Sequence, residues 1–334
     1  MGLGNHRDAT GDMGVTLTRE RLRYGIVGTG ALGGLYGARL ARKGYSVAFL
    51  TRRDGEVLRS RGLTIRDSTG EWTLPNVAAY DRVEEMPPVD VAIVALKTTQ
   101  NHLLETLLPP LLGSTGIALM LQNGLDVEAQ AATVLGRDRV VGGVCFLCAT
   151  KVAPGLIHHI DYGKIILGDY GKGYGPRGIT ERLRRIAQDF EAADLEIELC
   201  EDLLLARWRK LAWNVPFNGL SVVLDAATDE LMADGAARSL IDVLMLEVAQ
   251  GAASCGRELT AAFLAELMAL TETMPPYKTS MKLDFDARRP LEVEAIVGAP
   301  LRMAAARGVA LPQMEMLYRQ LKFLDARNGG AVIQ

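Results

Sequence analysis

The sequence predicts an α/β protein: a doubly wound parallel sheet in the N-terminal part, then an all-helical C-terminal domain. Three observations carry that expectation. From residue 22 to about 125, short apolar strand-like runs alternate with helical patterns. A glycine-rich turn joins the first run to the first helix. After about residue 200, every apolar pattern has helical spacing.

The first element is the run Tyr24-Gly25-Ile26-Val27. It feeds Gly28-Thr29-Gly30-Ala31-Leu32-Gly33, and Leu35 to Ala41 then continue at helical spacing. A second strand follows at Ser46 to Leu50. Strand, G-x-G-x-x-G, helix, strand is the context of a Rossmann-type dinucleotide fingerprint. Gly28 permits the tight turn, Gly30 lets backbone approach a pyrophosphate, and Gly33 lets helix and strand pack closely. The phosphates are expected on the unpaired N–H groups of Thr29 to Gly33 at the helix start.

The end of the second strand bears on the choice of cofactor. NAD-preferring sites place an acid there to accept from the ribose 2′-OH. This chain has Thr51-Arg52-Arg53, and its first acid is Asp54. A guanidinium can take a 2′-phosphate bidentately and stack on adenine, so Arg52 and Arg53 favour NADP(H). The alternative is a solvated basic turn.

Further along, Val89 to Leu96 and Ile117 to Leu121 read as strands buried on both faces. Val140 to Ala149 and Lys164 to Leu167 add β-rich pieces, and Gly168 to Pro176 reads as a surface loop. Thr180 to Ala193 is helical. Helices are then expected over 202–220, 236–255, 260–274, 291–306 and 311–324, with Gly256, Pro275-Pro276 and Gly308 between them. The division is a flexible N-terminal tail at 1–21, a cofactor domain at 22–200 and a helical substrate domain at 201–334. A substrate belongs in the cleft between the two domains.

Composition narrows the partners. The 334 residues exceed what one core usually supports, and 49% hydrophobic with 23% charged is ordinary globular usage. A formal net charge of −3 gives no basic surface for nucleic acid. No uncharged apolar run reaches the ~18 residues of a membrane span. Met1 to Glu20 is polar and lacks the apolar core of a signal peptide. Cys145-Phe146-Leu147-Cys148 has C-x-x-C spacing but lies in an apolar strand, where residues three apart face opposite sides. With no second such pair, no metal is expected, and the setting reads as reduced and cytoplasmic.

Two strand ends point polar groups at the cleft: Lys97 after the third strand and Asn123 after the fourth. Ordinary strand-end polarity and an Asn-Gly turn are the simpler readings. In the helical part, Lys210, Asn214 and Asn218 recur at i, i+4 and i+8 among Leu, Ala, Trp, Val and Phe. That spacing makes one polar stripe, facing either solvent or a polar pocket. Pro216 lies within it and can kink the helix.

Taken in order, these motifs resemble the ketopantoate reductase (2-dehydropantoate 2-reductase) family. They are Gly28-x-Gly30-x-x-Gly33, Arg52, Leu96-Lys97, Gln122-Asn123-Gly124, Lys210-Leu-Ala-x-Asn214-x-x-x-Asn218 and Ser280-Met281-x-x-Asp284, with Glu292 and Gly298 beyond. The resemblance runs from about Tyr24 to Leu324. It implies that Lys210 is the general acid and that Glu292 holds it, with Glu294 a competitor two residues on. It implies that Asn214, Asn218 and Ser280 bind the substrate, and that Lys97, Asn123 and Glu292 lie on the cofactor side, Asn123 also touching substrate. The implied activity is NADPH-dependent reduction of ketopantoate, a small 2-oxo acid, and the resemblance leaves room for a homodimer. Reduction of another 2-oxo acid on the same scaffold, or non-catalytic sensing of NADP(H), are the competing readings.

Overall fold

The computed structural model describes residues 21–329. Nearly all of the expected tail, and residues 330–334, lie outside the described residues. The first apolar run forms β1 (Tyr24–Val27), buried along its whole length, and the glycine turn leads into α1 (Ala31–Arg42) and β2 (Val47–Leu50). Next come α2 (Gly55–Arg61), β3 (Leu63–Asp67), β4 (Gly70–Leu74), β5 (Ala78–Tyr80) and β6 (Val91–Val94). Then follow α3 (Leu104–Leu112), β7 (Ile117–Met120), α4 (Val127–Leu135) and the long strands β8 (Val140–Ala153) and β9 (Leu156–Asp169). The sheet part closes with α5 (Glu181–Ala192) and β10 (Ile197–Cys200).

These strands make one sheet in the order β4-β3-β9-β8-β7-β6-β1-β2-β5, with β10 beside β9. Strands β7, β6, β1, β2 and β5 are parallel neighbours, as expected of the Rossmann-type part. The chain leaves β1 for β2 on one side and returns to β6 on the other. The glycine turn therefore sits at the point where strand order reverses, where such sheets bind ligands. The β8–β9 hairpin is antiparallel and extends the sheet into a mixed one.

Beyond Cys200 the described chain is helical: α6 (Leu203–Val223), α7 (Thr228–Ala233), α8 (Gly235–Ser254), α9 (Ala261–Glu272), α10 (Ser280–Asp286), α11 (Ala299–Ala305) and α12 (Pro312–Asn328). Asp202, Thr260 and Thr279 cap α6, α9 and α10 with side-chain oxygens. Helices α8, α10 and α12 all pack on α6. That packing carries α6 through Pro216 unbroken, despite the missing N–H. The helix expected over 291–306 starts later: Leu291 and Glu292 precede it, and Glu294–Gly298 form a wide π turn before α11.

The segment expected as a surface loop, residues 168–176, is partly core. Tyr170 and Tyr174 are buried edge to face, with ring centroids 4.9 Å apart. Tyr174 belongs to a network that fixes α6 against the sheet. Arg207 is 2% exposed and Glu128 fully buried. The Arg207 guanidinium donates to Glu128 Oε1 at 3.0 Å, to the Met120 carbonyl at 3.2 Å, and to the Gln122 carbonyl. The Tyr174 hydroxyl donates to Glu128 Oε2 at 2.6 Å. Burial and the Glu128 carboxylate push the Tyr174 phenol well up, so it remains a donor.

Arg207→Met would leave that carboxylate buried without its cation, which costs about 3–5 kcal/mol. The control is Arg302→Met, whose partner Glu294 is half exposed; it should cost less than about 1 kcal/mol. Urea unfolding of both variants measures the difference, and equal midpoints would refute the claim that the Arg207 pair anchors α6.

Candidate active site

One cavity of about 1150 Å³ lies between the carboxyl ends of the parallel strands and the helices α6, α9 and α10. Gly28, Thr29, Gly30, Ala31 and Leu32 line one end, with Arg52 and Arg53. Lys97, Asn123, Lys210, Asn214, Asn218, Ser280 and Glu292 line the rest. The structure thus brings together every expected site residue except Gly33, which acts underneath. A Cβ on Gly33 would stand 2.4 Å from the Gly28 carbonyl oxygen, so only glycine lets α1 lie this close to β1.

Gly28 and Gly30 are glycines for different reasons. Gly28 has φ +104°, and a Cβ there would strike the Leu96 backbone nitrogen at 2.7 Å. A Cβ on Gly30 would meet no protein atom within 4 Å; it would point into open space. Gly30 is also the N-cap of α1, with no side chain capping it. Open space beside an uncapped helix start fits a dinucleotide pyrophosphate. The Thr29 hydroxyl is structural: it donates to the Leu50 carbonyl at 2.9 Å and ties the turn to β2. Arg52 and Arg53 are exposed to the cavity, with no hydrogen bond or ion pair among the described residues.

The expected pairing of Glu292 with Lys210 is not what the structure contains. Glu292 is 5% exposed and faces Lys97: Lys97 Nζ donates to Glu292 Oε2 at 3.1 Å, and the Thr98 backbone N–H to Oε1 at 2.8 Å. Asp284 on α10 adds a second carboxylate 2.7 Å from Lys97 Nζ, and Arg289 donates to its other oxygen at 2.8 Å. Burial would lower the Lys97 ammonium, but Glu292 and Asp284 outweigh it and hold it above its ordinary value. Because Glu292 precedes the helix, it extends sideways to the 97–98 turn rather than capping its own first turn. Glu294 is no substitute. It lies outside the cavity, where Tyr318, Arg302 and Lys322 overcome its partial burial and hold its carboxyl down to about 2.

Lys210 stands alone among aromatic rings. Its Nζ is 4.5 Å from the Phe146 ring centroid and 5.6 Å from that of Trp213. Among the described residues no carboxylate is within ion-pair distance. Burial therefore pulls its ammonium down to about 8, with Cys145 and Cys148 nearby opposing. Both cysteines line the cavity, contrary to the opposite-face expectation, because β8 shifts register between Cys145 and Leu147. Burial pushes the Cys145 thiol up to about 12, so it stays neutral.

The polar stripe faces the pocket rather than solvent. Asn214 Nδ2 is 3.5 Å from Asn123 Oδ1, so the helix and the strand end meet there. Asn218 Oδ1 accepts from the Met281 backbone N–H at 3.3 Å, which sets the start of α10 and its Ser280 beside the stripe. Thr279 is fully buried, capping α10 and bonding Ser221 at 2.8 Å, which leaves Ser280 for the cavity. Sequence reasoning assigned no role to Asp284 and missed Lys151. Lys151 reaches from β8 to the Thr29 carbonyl at 3.2 Å and pairs with Asp54.

Comparison with known proteins identifies the family. The family described as Ketopantoate reductase PanE/ApbA matches residues 24–172, and its C-terminal counterpart matches residues 202–325. The chain belongs to the ketopantoate reductase family. A 2-dehydropantoate 2-reductase of Nostoc sp. (strain PCC 7120) is 55% identical over 306 residues, covering 92% of this chain and 96% of the relative. The crystal structure of 2-dehydropantoate 2-reductase from Geobacter metallireducens GS-15 superposes with a TM-score of 0.87 at 41% identity, covering 90% and 99% of the two chains. A D-mandelate dehydrogenase solved with NADH and anilino(oxo)acetate shares the fold, with a TM-score of 0.82 at 22% identity over 92% and 99%. Like its relatives, the chain is an oxidoreductase with a nicotinamide cofactor and a small-molecule substrate. No helix among the described residues is long and apolar enough to cross a membrane.

Two outcomes follow from the geometry. Gly30→Val should still fold, since its Cβ meets no protein atom, yet lose dinucleotide binding in a fluorescence titration. Lys210 is an acid only below about 8. The kcat/KM for carbonyl reduction should therefore fall as pH rises through about 8, and that for alcohol oxidation should rise over the same interval. Glu292→Gln should leave both limbs in place, because its carboxylate serves Lys97. A limb shifted down in that variant would restore the Lys210–Glu292 pairing.

Proposed function

We propose that this protein reduces 2-dehydropantoate to pantoate with NADPH, using Lys210 as the proton donor. The observation that carries the reading is Lys210 itself: a lysine near neutrality, pulled to about 8 by burial, at the head of a polar stripe in the cofactor cavity. A general acid works best with a pKa near the operating pH. NADPH, when bound, supplies a hydride to the substrate's carbonyl carbon and so places negative charge on its oxygen. Lys210 stabilises that oxygen and hands it a proton, becoming a neutral amine that solvent recharges.

The other residues bind and orient. The start of α1 takes the pyrophosphate, and Arg52 and Arg53, both unpaired among the described residues, take the 2′-phosphate. Asn218 and Ser280 hold the hydroxyl and carboxylate ends of the substrate, and Asn214 with Asn123 aligns its carbonyl near Lys210. Lys97 and Glu292 position the nicotinamide side. The 55% identity to a 2-dehydropantoate 2-reductase supports this substrate over other 2-oxo acids.

The test is NADPH oxidation over a panel of 2-oxo acids. The highest kcat/KM should belong to 2-dehydropantoate, and NADH should be the poorer donor. A better 2-oxo acid in the panel would overturn the substrate, and equal use of NADH the cofactor. Arg52→Ala with Arg53→Ala should weaken NADPH by about 1.5–3 kcal/mol, the loss of charge-assisted bonds.

A further inference from the structure

We propose that Lys151 is a specificity-determining residue for the cofactor: it masks the Asp54 carboxylate, so that a site with an acid beside β2 still accepts a 2′-phosphorylated dinucleotide. The proposal rests on the NADPH reading and names a residue outside the motifs that support it.

The difficulty is Asp54. It is the first acid after β2 and lines the cavity next to Arg52 and Arg53. An acid near this strand end accepts from a ribose 2′-OH and repels a 2′-phosphate. The ordinary explanation for an aspartate at the start of a helix is capping. Asp54 is indeed the N-cap of α2, but its side chain makes no capping bond. The Thr51 hydroxyl accepts from the Asp54 backbone N–H at 3.2 Å, which settles the local turn without the carboxylate. That carboxylate is 6% exposed and paired with Lys151 Nζ.

Lys151 comes from far along the chain, near the tip of the β8–β9 hairpin. Its ammonium also donates to the Thr29 carbonyl at 3.2 Å, inside the glycine turn. One cation thus joins the turn after β1 to the turn after β2, the two segments that hold a dinucleotide in this fold. Arg52, Arg53 and Asp54 alone carry a net charge of +1, and Lys151 raises it to +2. More specifically, it neutralises the one group that would oppose a phosphate. The exposed arginines then meet the 2′-phosphate without a competing carboxylate.

Binding of NADPH and NADH to the purified full-length protein tests this, by nucleotide fluorescence or calorimetry without substrate. Lys151→Met should weaken NADPH at least ten-fold and leave NADH within about three-fold. The pair Lys151→Met with Asp54→Asn should bring NADPH back to within about three-fold of wild type, because no bare carboxylate remains. Equal loss of both nucleotides, or no rescue in the pair, would show a structural strut and overturn the proposal. Should Lys151→Met fold poorly, Asp54→Asn alone decides: NADPH binding kept or tightened supports masking, and a ten-fold loss refutes it. Wild-type protein that binds both nucleotides equally would refute the NADPH reading itself. A wild-type preference for NADPH that Lys151→Met leaves unchanged would refute only the role given to the lysine.

Discussion

The buried pair between Arg207 and Glu128 is the constraint on which the site depends. Removing both charges from water is costly, and the pair is sustained because each oxygen and most of the guanidinium have partners. Glu128 accepts from Arg207 on one oxygen and from Tyr174 on the other, while Arg207 also serves the Met120 and Gln122 carbonyls. Those two carbonyls lie at and just beyond the end of β7, in the segment that leads to Asn123. Lys210 follows Arg207 by three residues on α6, less than one turn. The pair therefore sets the height of Lys210, Asn214 and Asn218 relative to the strand ends. An apolar contact in its place would hold the helix against the sheet but allow it to slide.

Two lysines share the cavity and their surroundings divide their tasks. Lys97 has two carboxylates and remains a fixed cation. Lys210 has aromatic rings and no carboxylate among the described residues, and its ammonium falls to about 8. Environments that push like groups apart suit one to moving a proton and the other to holding a fixed charge. Moving Glu292 to Lys210, as the resemblance alone implies, would remove that difference: a paired Lys210 would keep its proton too firmly to give it up.

Much of this was legible in the sequence because it is local or periodic. The β1–glycine turn–α1–β2 unit is written in consecutive residues, and Gly28 and Gly33 have the turn and packing roles their spacing implies. The Lys210-Asn214-Asn218 stripe follows from helical period alone, and the aromatic residues around it correctly indicated a pocket. What the sequence hid are pairings between distant residues. Lys97 meets Glu292 across 195 positions and Thr98 meets it across 194, and no local pattern encodes either. The helical stretch begins only at Val293, ahead of the π turn at Glu294–Gly298, so Glu292 lies outside it, a two-residue change that apolar spacing does not register. Asp54 reads only as the first acid after β2, and nothing local in the sequence pairs it with Lys151, 97 positions on. Tyr174 reads as loop because its glycine neighbours outnumber it, although its ring is buried.

The Lys97 cluster also joins the two walls of the cavity. Asp284 and Ser280 lie on the same short helix, α10, one turn apart. Asp284 is bound to Lys97, which follows β6 on the cofactor side, and Glu292 holds both that lysine and the next backbone N–H. The Leu125 N–H donates to the Ala295 carbonyl at 2.9 Å and secures the π turn to the Asn123 loop. Ser280 on one wall of the cavity and Lys97 on the other are thus tied to one ion cluster, not to two independent walls. Any opening between the sheet and α10 must break the Lys97–Asp284 contact.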